Sequence, residues 1–411
     1  MTKEGVIIRD VESGKGKFSA DLGTSQEVRP GDLVFCLFDV PETPRTVGLS
    51  RHHGMITGAY TVFECRVPSQ APYIDYFYRA MDDRKLLAPL YSGLRNTIPP
   101  PRFLGAKTPI PSLQEQAAIV RFLNYADRSI RSAVAAKRKL IALLTEQKQA
   151  LVYEAVTKGL HSGGRVKPSG IPGLGDVPNH WAVVLNQRIF KEVTRSHNEQ
   201  PETPLSLSQR QGLVESSAMR ERSLQTSSYA NWKVTVPGDL VVNRFKAHLG
   251  VFFASTLRGM VSFHYGVFVP RANICTKYYE LLFHTAPYRS IYAGRSNGMT
   301  VGLQNLSNQN FYNVHSPVPP LMEQGQIVAF AEAATHLQDA GIERARAEIR
   351  LLREYHASLI ANVVTGALDV RQAAVSLPGD IDMSESVESD DDDGTESADL
   401  HEAPDSEEAV E

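Results

Sequence analysis

Two short stretches have the acid-x-Lys form of a metal-dependent nuclease centre, Asp83-Arg84-Lys85 and Glu146-Gln147-Lys148. The second lies inside a segment with the apolar period of a long helix, and the first on a predicted helix, so neither is assigned. His52-His53 could offer imidazole to a metal but has no convincing third ligand. Gly14-Lys15-Gly16-Lys17 lacks the spacing of a phosphate-binding P-loop, and no GxGxxG follows a strand. A methyltransferase would need a Gly-rich cofactor-binding strand end and an Asn/Asp-Pro-Pro-aromatic loop, and neither occurs. Cys36, Cys65 and Cys275 are odd in number, far apart and without CxxC spacing, which reads as buried small hydrophobes rather than disulfides or a zinc site. No catalytic residue, metal or cofactor is assigned.

What chemistry remains is recognition, and the charge distribution says of what. The formal net charge of the 411 residues is -3. Residues 380–411 hold fifteen acids and no Lys or Arg, so taking fifteen from 46 leaves 31 acids against 43 bases, about +12 over residues 1–379. The rest of the chain is basic. The Ser-rich, nearly aromatic-free tail cannot bury enough apolar surface to fold and is expected to be disordered. It serves either solubility or, as a phosphate mimic, competition for a basic surface. No uninterrupted apolar run approaches about 18 residues and the start has no apolar leader, so a cytoplasmic protein with no membrane partner is expected.

The elements that must position a recognition surface are written twice. PIPSLQEQAAIVRF (109–122) returns as PVPPLMEQGQIVAF (317–330), and the match continues without a gap, at an offset of 208, as far as Val156-Thr157 and Val364-Thr365. VRPGDLV (28–34) returns as TVPGDLV (235–241), and HGMIT (53–57) resembles RGMVS (258–262). Prolines 109, 111, 317, 319 and 320 forbid helix before Leu113 and Leu321, after which apolar residues recur every three or four positions. Each copy therefore predicts a helix of about 45 residues, about 65 Å at 1.5 Å per residue. Val134, Ile141, Leu144 and Leu151 on the first and Ile342, Ile349, Leu352 and Leu359 on the second repeat the steps of a coiled-coil seam, with Arg138, Lys139, Arg346 and Arg350 off it. Two like helices in one chain predict an intramolecular antiparallel pair.

Before each helix, short Val, Phe, Tyr and Ile runs such as LVFCLF (33–38), YTVFECRV (60–67), DLVVNRF (239–245) and YGVFVPR (265–271) alternate with Gly and Pro turns and predict strands. PYIDYFYRAM (72–81) and KYYELLFHTAPYRSIY (277–292) predict the helical stretches that follow them. The expected organisation is a first α+β domain over 1–108, its helix over 109–157, a Gly/Pro-rich linker over 158–180, a second domain over 181–316, a second helix over 317–371 and the tail over 372–411.

The order of these pieces, with P-x-P-x-L-x-E-Q opening each helix, V-T-x-G or V-T-G-A-L-D closing it, and DVPNHW (176–181) after the linker, resembles the specificity subunit of type I restriction-modification systems. The resemblance reaches to about Arg371. It implies two α/β target-recognition domains in tandem, related by pseudo-twofold symmetry and held apart by the paired helices, each reading one half of a bipartite double-stranded DNA target. It further implies docking of methyltransferase subunits, two of them, on the helices, with restriction-translocase subunits joining afterwards, in a host-defence complex whose specificity subunit binds and does not catalyse. The alternative is an orphan or decayed specificity subunit that binds DNA or methyltransferase alone.

Physical reasoning reaches the same place. Two similar domains on one spacer would contact two short sites separated by unread base pairs. Excess positive charge would neutralise phosphates without reading sequence. Base edges are read most often by Arg at guanine and Asn or Gln at adenine. The candidates are Arg45, Arg51, His52, Arg95 and Asn96 in the first domain and Arg210, Asn243, Arg244, Lys246, Arg295, Asn297 and Gln304 in the second. Arg244 and Lys246 follow the strand after Pro237-Gly238-Asp239, and GRSNGMTVGLQN (294–305) is a polar Gly-rich loop able to approach a groove. Trp181 precedes Pro237 by 56 residues whereas only 29 precede Pro30, so about 27 residues have no counterpart. The expectation is either a start further upstream or a shortened first domain with relaxed recognition of one half-site.

Overall fold

The structure is a computed structural model and describes residues 2, 5–8, 25–161, 163–196, 202–209, 211–218, 231–271, 273–296, 298 and 305–378. In chain order come β1 (Gln26–Val28), β2 (Leu33–Phe35), β3 (Val47–Leu49), β4 (Gly54–Ile56), β5 (Thr61–Phe63), α1 (Ala71–Asp83), α2 (Pro100–Leu104) and the 46-residue α3 (Leu113–Lys158). There follow β6 (Val166–Pro168), β7 (Asp176–Pro178), β8 (Ala182–Leu185), α4 (Asn186–Ile189), β9 (Phe190–Glu192), β10 (Leu205–Ser208), β11 (Gly212–Glu215), β12 (Lys233–Thr235), β13 (Leu240–Asn243), β14 (Phe252–Ala254), β15 (Gly259–Val261) and β16 (Tyr265–Pro270). Last are α5 (Thr276–Phe283), α6 (Ala286–Arg295), α7 (Asn308–Tyr312), β17 (His315–Val318), the 44-residue α8 (Leu321–Val364) and α9 (Arg371–Ser376).

The repeat seen in the sequence is a repeat of hydrogen-bond register. β1 pairs antiparallel with β4, Gln26 opposite Ile56 and Val28 opposite Gly54; β12 pairs with β15, Lys233 opposite Val261 and Thr235 opposite Gly259. Adding 207 to the first strand and 205 to the second converts one ladder into the other. The same shift carries the sheet β3–β2–β5, with Leu33 between Leu49 and Phe63, onto β14–β13–β16, with Leu240 between Ala254 and Phe268. A one-residue slip would have reversed every side chain between faces, so identical registers mean identical buried faces. The second sheet carries a fourth strand, β9, beside β16, and β8 pairs with β17; among the described residues the first has neither.

The chain divides into two compact units that do not follow its order. One contains the described residues up to Leu140 together with those from Arg344 on; the other is Ile141–Glu343. In the first unit, Phe35, Tyr73, Tyr78 and Phe103 join Ile119 and Leu123 of α3 and Leu359, Ile360 and Val363 of α8 in one core. In the second, Trp181, Phe252, Phe268, Tyr278, Phe283 and Tyr292 surround Ala155 and Val156 of α3 and Ile327 of α8. Each unit thus closes around the start of its own long helix and the end of the other copy's. Fully buried aromatic side chains of this kind remove about 150–250 Å² each from water and dominate the core.

Both helices start as the prolines require. Ser112 Oγ accepts from the Glu115 backbone N–H at 3.3 Å, an N-cap that satisfies one orphan donor of the first turn. The Gln of the E-Q pair has a structural task. Gln116 Nε2 donates to the Pro111 carbonyl at 2.7 Å and Gln324 Nε2 to the Pro319 carbonyl at 2.8 Å, both from side chains 1% exposed. A prolyl turn must bury carbonyls without the N–H groups that would normally answer them, and the Gln amide supplies the missing donor.

The helices run antiparallel. In the first unit Lys137 Nζ lies 2.6 Å from Glu348 Oε2, and Asp127 Oδ1 3.1 Å from His356 Nε2; in the second Lys148 Nζ lies 2.6 Å from Asp339 Oδ1. Rising numbers on α3 meet falling numbers on α8 throughout. Ile342, Ile349 and Leu359 are buried on the shared face with Ala331, Thr335 and Ala345 between or beside them, while Val134, Ile141, Leu144, Leu151 and Leu352 are half-buried. A Cβ on Gly341 would stand 3.1 Å from Leu144 Cδ1, so the backbones approach closely there.

Three expectations need correction. The stretch 277–292 is two helices, because Pro287 cannot donate into a continuous helix and the chain turns at His284-Thr285. The segment 158–180 is no loose linker, since it forms the β6–β7 hairpin and puts Ile171, Leu174 and Val177 into the second core. The second long helix stops at Val364, before Gly366 in the left-handed region (φ 76°), and α9 is separate. Of the cysteines, Cys36 is buried and Cys65 and Cys275 are half-buried, all free. The acidic tail from Asp380 on lies outside the described residues.

Candidate nucleic-acid interface

Arg45 lies on the connection that leaves β2 and Arg244 and Lys246 on the one that leaves β13, and each of these strands is entered through a tightly specified turn. Asp239 carboxylate accepts from the Val236 N–H at 2.9 Å, Gly238 donates to Ser255 and Ser255 donates back to Asp239. The first copy is the same: Asp32 accepts from the Arg29 N–H at 2.8 Å, Gly31 donates to Ser50 and Ser50 to Asp32. Gly31 and Gly238 take φ of 97° and 94°, conformations costly for any side chain, which is why P-G-D recurs. In the second unit Arg195 adds an ion pair to Asp239, which is 2% exposed.

Beyond β13 two candidates are committed to the fold. Asn243, 8% exposed, caps the 3-10 turn Arg244–Leu249, its Oδ1 accepting from Phe245 N at 3.1 Å and Lys246 N at 3.2 Å. Arg244 Nη2 lies 2.5 Å from Glu192 Oε1 and 2.7 Å from Asn308 Oδ1, and Asn308 also bonds Glu192. Lys233 completes the network, donating to the Tyr265 carbonyl at 2.9 Å with Glu192 at 3.5 Å. Burial, and then the Arg244 charge, push the Lys233 ammonium below its usual range. Arg244 thus bridges β9, β13 and α7 through its Nη2.

Other candidates present themselves outward. Lys246 is half-exposed with no side-chain partner among the described residues, and beside it Phe245 is 37% and Phe263 45% exposed. His264 lies between them, ring centroids 5.3 and 3.8 Å away, so an aromatic group stands in solvent beside a cation. Arg295 is exposed at the C-terminus of α6, on the rim of an open groove of about 490 Å³ formed with Gly170, Ile171, Pro172 and His315.

In the first unit the candidates fall on separate loops. Arg45 Nη1 lies 3.8 Å from Asp83 Oδ1. Arg51 and His52 are exposed on the β3–β4 turn, where Ser50 Oγ bonds both the N–H and the carbonyl of His52. Arg95 and Asn96 are exposed at the tip of a small hairpin closed by Ser92 and Thr97, and the Arg95 guanidinium lies over the Phe38 ring at 5.3 Å. Arg210, Asn297 and Gln304 lie outside the described residues. Glu146-Gln147-Lys148 lies on α3 with Lys148 paired to Asp339, and Asp83 ends α1 with Lys85 in the left-handed region.

Residue type carries no signal for the exposed Phe38, Phe245 and Phe263, since an apolar side chain belongs by default in a core. The repeat held the signal: at an offset of 207, LVFCLF places Phe38 on Phe245.

No model of a known protein family matches the chain. Among solved structures, a chain from work on complex assembly and conformational transition of the type I R-M system shares its fold at a TM-score of 0.57 and 15% identity, over 84% of each chain. The HsdS subunit from Thermoanaerobacter tengcongensis aligns over 83% of this chain and 82% of its own, at 16% identity and a TM-score of 0.42. The type I restriction-modification S subunit from M. genitalium aligns over 81% and 82%, at 11% identity and a TM-score of 0.35. The first of these carries the likeness in fold.

Proposed function

We propose that this chain is the DNA-specificity subunit of a type I restriction-modification complex. It binds a bipartite double-stranded target through two recognition domains, 1–108 and 181–316, and docks methyltransferase and restriction subunits without itself catalysing. The observation that carries the reading is the exact repeat of strand register in two units, each closed by the far end of the other copy's helix. A single chain with internal twofold repetition is suited to two half-sites, as a dimer of small domains would be. The fold likeness over 84% of both chains agrees with it.

Affinity in this reading comes from the basic character of residues 1–379, and specificity from the outward candidates Arg51, His52, Arg95, Asn96, Lys246 and Arg295. Exposed apolar side chains on the long helices, among them Leu143, Leu337, Leu351 and Tyr355, suit docking of methyltransferase subunits. The site of action is the cytoplasm, where the partner subunits and DNA meet.

The alternative is an orphan specificity subunit that binds DNA or methyltransferase alone. The test is a modified-base map of plasmid DNA from cells expressing the chain with a methyltransferase subunit encoded beside it, against each alone. Methylated bases in a split motif only in the pair support the main reading. No methylation, with both proteins soluble and co-purifying, supports the orphan.

A further inference from the structure

We infer that Arg95, whose guanidinium lies over the exposed ring of Phe38, is a pre-set guanine reader of the first recognition domain, with Phe38 as its positioning residue. The inference rests on the DNA-binding reading above and assigns one base type to one side chain.

Four observations converge on this pair. Phe38 is 41% exposed three residues beyond β2, whose own aromatic, Phe35, is 1% exposed. The Arg95 guanidinium lies over that ring at 5.3 Å, and Arg95 itself is exposed. The two segments are locked together by one backbone hydrogen bond, Ile98 N–H to the Leu37 carbonyl at 2.8 Å, with Ile98 wholly buried as the anchor. Both residues are followed by a non-glycine in the left-handed region, Asp39 at φ 47° and Asn96 at φ 46°. Three such residues occur among the described ones, and two flank this pair; Asp and Asn enter that region more readily than other side chains and fix the turns there.

The chemistry follows from the geometry. A guanidinium over a ring face keeps its N–H donors free of other acceptors, and that planar fork matches guanine O6 and N7. Stacking also removes rotamer freedom from a long side chain before the base arrives, so less entropy is lost on binding. Leu94, fully exposed at the same tip, would be covered in a groove. The second unit repeats the anchor, Leu306 N–H to the Arg244 carbonyl at 3.0 Å, and again leaves the next residue, Phe245, exposed. An aromatic platform placed twice at the same register is hard to ascribe to packing, since packing would have buried it.

The experiment is a selection from a random-sequence duplex library with the purified full-length chain, followed by sequencing, for wild type, R95A, R95K, F38A and F38W. R95A and R95K should each lose guanine preference at one position of one half-site, by about 5- to 150-fold, the other half-site being unchanged. R95K keeps the charge, so its salt dependence of binding should match wild type while its discrimination does not. F38W, which retains a ring, should keep the preference, and F38A should relax the same position as R95A. Enrichment of the wild-type motif by both Arg95 variants would overturn the inference while leaving DNA recognition intact. A wild-type chain that enriches no motif would instead overturn the DNA-specificity reading beneath it. R95K changes no buried group, so its result stands even where F38A folds poorly.

Discussion

The hydroxyl of Tyr278 donates to the carbonyl of Val156 across 2.8 Å, and 205 residues earlier Tyr73 points its hydroxyl at the carbonyl of Val364 at 3.4 Å. Both carbonyls belong to the last turn of a long helix, where no further N–H of the helix can answer them. Each α+β domain therefore satisfies the end of the helix that the other copy began. Tyr73 divides its hydroxyl with the Pro109 carbonyl at 3.1 Å, so the two ties are unequal.

Removing the hydroxyls should expose that inequality. Y278F leaves a buried carbonyl short of a donor and should cost about 1–3 kcal/mol, whereas Y73F should cost about 1 kcal/mol or less. Hydrogen exchange resolved by peptide would place the loss at the end of α3 for Y278F and at the end of α8 for Y73F. Unaltered exchange at the end of α3 in Y278F would show that the tie does not hold the helix.

The two glutamines of the E-Q pairs are also unequal. Gln324 uses both ends of its amide, donating to Pro319 and accepting from the Cys275 N–H at 2.8 Å. Gln116 donates to Pro111, and its buried Oε1 has no partner. Q324A should therefore destabilise by about 2–4 kcal/mol and Q116A by about 1–2 kcal/mol, read from urea midpoints. Equal losses would mean that the Cys275 bond contributes nothing.

How much of this was legible in the sequence depended on how far the cause of each feature lies along the chain. The long helices were legible because prolines and apolar period are local, and the P-G-D turns because glycine at positive φ is local too. The pairing of α3 with α8 followed from repetition. Exchange of helix ends did not, since nothing in Val156 or Val364 says which tyrosine meets it. Arg45, Arg51, His52, Arg95, Asn96, Lys246 and Arg295 were chosen by residue type, which cannot separate an Arg facing solvent from one turned inward to a glutamate. The break at Thr285 was marked by Pro287 but read through, and the folded 158–180 segment was hidden by its own glycines.

A pH test falls on His284. Burial, aided by the charges of Lys277 and Arg289, lowers its imidazole to about 4, against a hydrogen bond to the Phe252 backbone that acts the other way. Its Nε2 is buried without a partner and its ring stands 4.9 Å from Phe253. The folded pKa is depressed, so the unfolded chain takes up the proton first. The contribution to stability is complete above the unfolded value near 6.5 and is lost as pH falls toward 4, about 3 kcal/mol at most. H284F should flatten the stability profile of the wild type between pH 6.5 and 4. A slope retained in H284F would assign it to other groups.

Arg244 offers the sharpest separation of structure from recognition. Its position after a strand, next to Lys246, suggested a base reader, yet its guanidinium is held by Glu192 and Asn308 in a half-buried network with Lys233. R244A would remove one of the three partners of Glu192, Lys233 and Asn308 remaining, and should lower stability by about 1–3 kcal/mol. K246A leaves no such orphan and should change stability by less than about 0.5 kcal/mol while weakening DNA binding and reducing its salt slope by about one. In a library selection at a temperature where R244A is folded, its motif should equal that of the wild type. A single relaxed base position in R244A, with its melting temperature unchanged, would return Arg244 to the DNA.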